Sequence, residues 1–196
     1  MRKVIISAGH DIKFKGAYSA VADVHEHDYA SRFIHDLRYM MIERDLILPD
    51  TEIILMDMND PSKLIGSNSS LFMKAESVEH MDDFEIFIEI HLNSFHDVNV
   101  NGTEILYKNE NSLGFCNLFS FNFELYFPDF KYRGIVKRNN LYLLNVIEKP
   151  AVLIELFFLS NYEEYKLFSY DDNYNKLLMV VAKTINDWLN GMEVKG

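Results

Sequence analysis

The stretch Pro150-Ala151-Val152-Leu153-Ile154-Glu155-Leu156-Phe157-Phe158-Leu159 is the most apolar run of the chain, and one carboxylate, Glu155, interrupts it. Ala151 to Leu156 reads as a β-strand, and a strand so uniformly apolar belongs in a sheet covered on both faces. Working outward, Phe84 to His91 reads as another strand, with Phe84, Ile86, Ile88 and Ile90 on one face and Glu85, Phe87, Glu89 and His91 on the other. Val4 to Ser7, Glu52 to Met56, Gly102 to Lys108 and Leu141 to Leu144 complete the set of expected strands. Helices alternate with them. From Glu26 to about Arg44, Tyr29, Phe33, Leu37, Met40 and Met41 recur at the spacing of one helical face. Ser69 to His80 and Ser112 to Tyr126 read as two more, and a last helix runs from about Asn173 to Asn190, with Gly191 placed to end it. The expected fold class is α/β: a central twisted, largely parallel sheet of about six strands with helices on both faces.

The chain has 196 residues, and its 19 Lys and Arg against 30 Asp and Glu give a net charge of -11. Such a surface repels polyanions, which excludes a generic nucleic-acid binder. No internal repeat, low-complexity tract or linker divides the sequence, so residues 1–196 read as a single domain of catalytic size. The start Met1-Arg2-Lys3 is charged, but the apolar run behind it ends within a few residues at Gly9-His10-Asp11, too soon for a signal peptide. No window approaches the roughly 18 apolar residues of a membrane span. The expectation is synthesis in the cytoplasm, with any release needing outside help. Cys116 is the only cysteine, which excludes an intrachain disulfide and a thiolate zinc cluster. A bound metal would have to use histidines and carboxylates.

Three polar residues fall at or just past strand ends, where open α/β sheets gather their ligands: His10, His91 and Glu155. Glu155 is the most anomalous. A carboxylate between apolar walls holds its proton more tightly, as a general base or acid requires, whereas a strand ending there would simply point it into water. Glu26 has two readings of equal weight. It could complete a metal site with the two histidines, or, as the last residue of Asp23-Val24-His25-Glu26, close a capping box with Asp23 as N-cap. His25 and His27 flank it and compete for the same role.

The ordered set Ser7-Ala8-Gly9-His10, Gly16-Ala17, Glu26, Ile88-Glu89-Ile90-His91-Leu92-Asn93 and Pro150 to Asn161 resembles the zinc-dependent N-acetylmuramoyl-L-alanine amidases of the amidase 3 type, found among cell-wall remodelling enzymes and phage lysins. The likeness extends from about residue 3 to the last helix. It implies Zn2+ held by His10, Glu26 and His91, Glu155 as the catalytic carboxylate, and peptidoglycan as substrate, cut between N-acetylmuramic acid and L-alanine. Asn93 takes a supporting place in that pattern, and Glu104 within Gly102-Thr103-Glu104 reads as a solvated strand carboxylate. Two departures stand out: Asp11 to Lys15 replace a glycine-rich loop, and Glu89 stands where a small residue is common, either to orient an imidazole or as a surface residue. No separate wall-binding module is expected, as in a lysin that waits for membrane permeabilisation. The other readings are a non-catalytic wall- or peptide-binding domain of the same fold and a zinc peptidase or deacylase.

Overall fold

Val4, Ile5 and Ile6 in the first strand, β1 (Arg2–Ala8), are all fully buried, so neither face of the strand meets water and it takes an inner place in the sheet. The computed structural model describes every residue except 65, 67, 68, 82, 195 and 196. After β1 come a short hairpin of β2 (Tyr18–Ser19) and β3 (Val24–His25), then α1 (Glu26–Glu43), β4 (Thr51–Met56), α2 (Ser69–Glu79), β5 (Ile86–Asn93) and β6 (Thr103–Tyr107). The chain continues through α3 (Leu113–Tyr126), β7 (Tyr132–Lys137), α4 (Tyr142–Val146), β8 (Ala151–Phe158), α5 (Tyr162–Ser169) and α6 (Asp171–Leu189). The six-stranded sheet has the order β4-β1-β5-β8-β6-β7. Strands β4, β1, β5 and β8 are parallel, whereas β6 runs antiparallel to β8 and carries β7 parallel to itself.

The two-residue period sorts the core into two layers. Val4, Ile6, Ile86, Ile88, Ile90, Ile105, Val152 and Ile154 pack with Phe33 and Leu37 of α1, Phe115 and Phe119 of α3, Phe168 of α5 and Val181 of α6. On the opposite face Ile5, Phe87, Leu106 and Leu153 pack with Val78 of α2 and with Leu143 and Leu144 of α4. Phe84, expected beside Ile86, precedes the strand and joins this second layer. No helix among the described residues is long and apolar enough to cross a membrane.

The expected architecture is present, with three local corrections. Leu141 to Leu144 is not a strand: Asn145 N–H donates to Leu141 O and Ile147 N–H to Leu143 O, the ladder of the short helix α4. Four apolar residues satisfy either period, and here packing under α2 decides. The sixth strand is β7 instead, a charged edge strand that carries Arg133 and Lys137 and whose Gly134 sits at φ 105. Helix α5, absent from the expected elements, starts at Asn161, whose side chain accepts from the N–H groups of Glu163 and Glu164.

Candidate active site

Neighbouring strands bring four residues into one row on the face shared with α2 and α4. His91 of β5 pairs with Glu155 of β8, Glu155 with Glu104 of β6, and Glu104 with Gly134 of β7. In register, the side chains of His91, Glu155 and Glu104 share one face, with Gly134 in line beside them. His10 comes from the loop after β1, where it holds φ 61, a left-handed conformation uncommon for a residue with a Cβ. Gly9 N–H donates to Ile90 O at 2.8 Å, tying that loop to the end of β5.

Glu26 is the first residue of α1, and the capping box is not formed. His25 occupies the N-cap position without a side-chain cap, and Asp23 lies in the β2–β3 turn at φ 53, accepting from the Tyr18 hydroxyl. The Glu26 carboxylate points into the fold. Oε1 lies 2.8 Å from His91 Nδ1 and accepts from Leu92 N–H at 3.1 Å, while Oε2 lies 2.9 Å from His10 Nε2 and accepts from Ala17 N–H at 3.0 Å. The two imidazole rings meet edge to face with centroids 5.0 Å apart. One donor atom from each of His10, Glu26 and His91 falls within 4.8 Å of the others, and this group could hold a metal ion. Two imidazoles and one carboxylate are a donor set for a tetrahedral divalent cation that keeps one position open. His25 and His27 lie outside the group. Nδ1 of His27 bonds to Gly9 O at 2.8 Å and its Nε2 to Asn59 Oδ1 at 3.0 Å, so His27 props the loop that carries His10.

Two glycines make room for this cluster. A Cβ on Gly9 would lie 2.6 Å from His91 Cε1, and one on Gly16, at φ 73, would lie 2.4 Å from His10 Cδ2 and 2.5 Å from Glu26 Oε2. Only glycine fits at either place.

The electrostatics of the cluster are set by burial opposed by pairing. Burial alone would raise the Glu26 carboxyl, but His10 and His91 hold it well below the usual carboxylate range. Burial would lower the His91 imidazole, yet Glu26 and Glu89 raise it well above its ordinary value. Glu155 goes the other way. Burial, with the negative charges of Glu26, Glu104 and Glu89 adding to it against the pull of His91, pushes its carboxyl up to about 7. Its Oε2 is buried and has no hydrogen-bond partner.

Glu89 is no surface residue. It is buried, with Oε2 3.5 Å from His91 Nε2 and Oε1 accepting from Lys74 Nζ at 2.8 Å. Lys74 on α2 is fully buried and also donates to Ala8 O. Sequence reasoning missed Lys74, since a lysine on an amphipathic helix is ordinarily solvated; the unexplained carboxylate at Glu89 was the signal for it. Glu104, expected to be solvated, is buried and accepts from Asn93 Nδ2 at 2.9 Å and Arg133 Nε at 3.4 Å. Asn93 thus supports the row through Glu104. Beside the two histidines a cleft of about 380 Å3 opens, walled by Phe14, Leu71, Leu141, Leu144 and Leu153.

Comparison with known proteins bears on this arrangement. The model of a family described as N-acetylmuramoyl-L-alanine amidase matches residues 4–187. The catalytic domain of CwlV, an N-acetylmuramoyl-L-alanine amidase from Bacillus (Paenibacillus) polymyxa var. colistinus, is similar with a TM-score of 0.80 at 25% identity, over 97% of this chain and 99% of that one. The CwlD amidase from Clostridioides difficile, solved with the GerS lipoprotein, gives 0.83 at 23% identity, over 97% and 100% of the two chains. The catalytic domain of the CD27L endolysin, which targets Clostridia difficile, gives 0.75 at 24% identity, over the full length of both. No curated protein sequence matches the chain.

Proposed function

The chain belongs to the N-acetylmuramoyl-L-alanine amidase family, and from that premise we propose that it hydrolyses the amide between the lactyl group of N-acetylmuramic acid and the L-alanine of the stem peptide, with Zn2+ as cofactor. The observation that carries the reading is a single juxtaposition: the unpartnered Glu155 Oε2 stands on the strand next to His91, beside the His10–Glu26–His91 group. His10 Nε2, Glu26 and His91 Nδ1 would hold the ion. When bound there, Zn2+ supplies Lewis acidity toward the amide carbonyl and makes water a stronger acid.

The protein's own part is proton transfer. Glu155, ionised, takes a proton from the attacking water as the new C–O bond forms, and returns it to the nitrogen as the C–N bond breaks. A carboxyl whose affinity for protons is raised to about 7 both accepts and releases one near neutral pH. Glu26 stays ionised throughout, since both imidazoles hold it so.

The reading is tested on purified sacculi. The metal-loaded protein should release stem peptides with a free L-alanine amino group and create no new reducing sugar. Chelation should stop release, and added Zn2+ should restore it. New reducing ends, or release that ignores chelator, would mean a different hydrolase; no release would favour a binding domain.

The glycines provide an independent check on the metal ligands. Gly9→Ala should push the His91 ring aside and weaken Zn2+ affinity by about tenfold to 100-fold, as disturbing a ligand's support does elsewhere. Competition with a chromogenic chelator measures this, and unchanged affinity would remove His91 from the ligand set.

A further inference from the structure

On the far side of the row from the metal group, a second cleft of about 520 Å3 is lined by Asn93, Glu104, Lys131, Arg133, Arg138 and Phe158, among others. In a chain of net charge -11, three cations converge here with only two carboxylates, Asp97 and Glu104. Both carboxylates are already engaged: Asp97 accepts from the Asn99 backbone and side chain at 2.9 Å, and Glu104 from Asn93 and Arg133. The ion pairs along this edge use Arg133 and Lys137, leaving exposed Lys131 and Arg138 with no ion-pair partner among the described residues.

The backbone is shaped to present Arg133. Thr103 pairs with Tyr132 and Glu104 with Gly134, so Arg133 is the extra residue of a β-bulge. Bulges at sheet edges re-aim a side chain, and this one brings Arg133 Nε to Glu104 on the face of the catalytic row. The guanidinium also lies 5.1 Å from the Phe158 ring centroid and donates to Asn101 O at 3.3 Å. It is held in place rather than free in solvent.

The order of the row gives the cleft a direction. Glu155 stands between His91 and Glu104. In the amidase reading the proton carried by Glu155 goes to the departing amine, which would put that amine beside Glu155, and the neighbour of Glu155 away from the metal group is Glu104, at the cationic cleft. The amine product is a peptide, and peptides of the cell wall carry free carboxylates.

We propose that this cationic cleft is the subsite for the leaving peptide, with Lys131, Arg133 and Arg138 receiving one of its carboxylates. The inference rests on the amidase reading above. Its test uses two N-acetylmuramoyl peptides that differ only in whether the second residue bears a free α-carboxylate or the carboxamide. The wild type should prefer the carboxylate by about tenfold in kcat/KM, through KM, the effect of one charge-assisted contact. Lys131→Ala/Arg138→Ala, both surface changes, should lose most of that preference, since of the three cations only Arg133, already tied to Glu104, remains. The same preference in both proteins, or none in the wild type, overturns the proposal. In parallel, L-alanyl-γ-D-glutamate is titrated into each metal-loaded protein: binding about tenfold weaker in the variant supports the subsite, and equal binding overturns it. If the wild type cleaves neither substrate, the amidase reading fails, and the titration alone decides the cleft.

Discussion

Glu155→Gln is expected to lower kcat by about 1,000-fold or more while leaving one Zn2+ bound per chain. The magnitude follows from the double duty proposed for it, since a positioned acid or base contributes roughly 100-fold to 10,000-fold and the proposed mechanism assigns both transfers to Glu155. Metal analysis and steady-state kinetics on the same sample check it. Turnover within tenfold of wild type would take Glu155 out of the mechanism. The same variant should gain stability without metal, with a pH dependence whose sign follows from linkage. Below its ordinary value of 4.5 the carboxyl is protonated in both the folded and unfolded chain and costs nothing. As pH rises from there through about 7, the unfolded chain ionises first, so stability falls, and above that the loss is complete. Discounted for partial exposure, that loss is about 2 kcal/mol. Urea melts of the metal-free proteins should therefore show Glu155→Gln more stable by about 1–2 kcal/mol at pH 8 and equal at pH 4.

Lys74→Met should be the most destabilising single change near the site, by about 3–5 kcal/mol, because it leaves the Glu89 carboxylate buried without its partner. Burial alone would raise the Glu89 carboxyl, but Lys74 and then His91 pull it down to about 2. That pairing stabilises the fold above pH 4.5 and is lost as pH falls toward 2. Adding Glu89→Gln to Lys74→Met removes the stranded charge and should recover all but about 1–2 kcal/mol. Urea denaturation of the wild type, single and double variants measures each step, and a cost for Lys74→Met below 1 kcal/mol would contradict the account. The double variant separates stability from site chemistry: it should fold yet bind Zn2+ about tenfold more weakly, since Glu89 no longer steadies His91.

Much of the candidate site was legible because it violates its surroundings. Glu155 interrupts an otherwise apolar strand, and His91 ends one whose alternation is regular enough to assign its face. Glu26 was ambiguous on local evidence, because the spacing of a capping box coincides with that of a ligand at a helix start. What turns the carboxylate away from a capping box is non-local: it meets His10, His91 and Leu92 N–H, partners that sequence spacing cannot bring together. β7 escaped notice for a related reason. Edge strands carry charges against unwanted pairing, and its bulge breaks the two-residue period at Arg133 and Gly134. Cys116, the lone cysteine, is fully buried, and burial pushes its thiol up to about 12. The net charge of -11 hid the cationic cleft, because a sum over the chain says nothing about where charges gather.

The row from His91 through Glu155 and Glu104 to Gly134 crosses four neighbouring strands, and hydrogen bonding spaces strands about 4.8 Å apart. Its ends are therefore about 14 Å apart, the reach of about four residues of extended peptide. In the proposed reaction the sheet would act as a ruler laid beside the reacting bond. Its graduations are backbone pairings, so side-chain changes along the row can alter what is gripped at each mark but not where the marks fall.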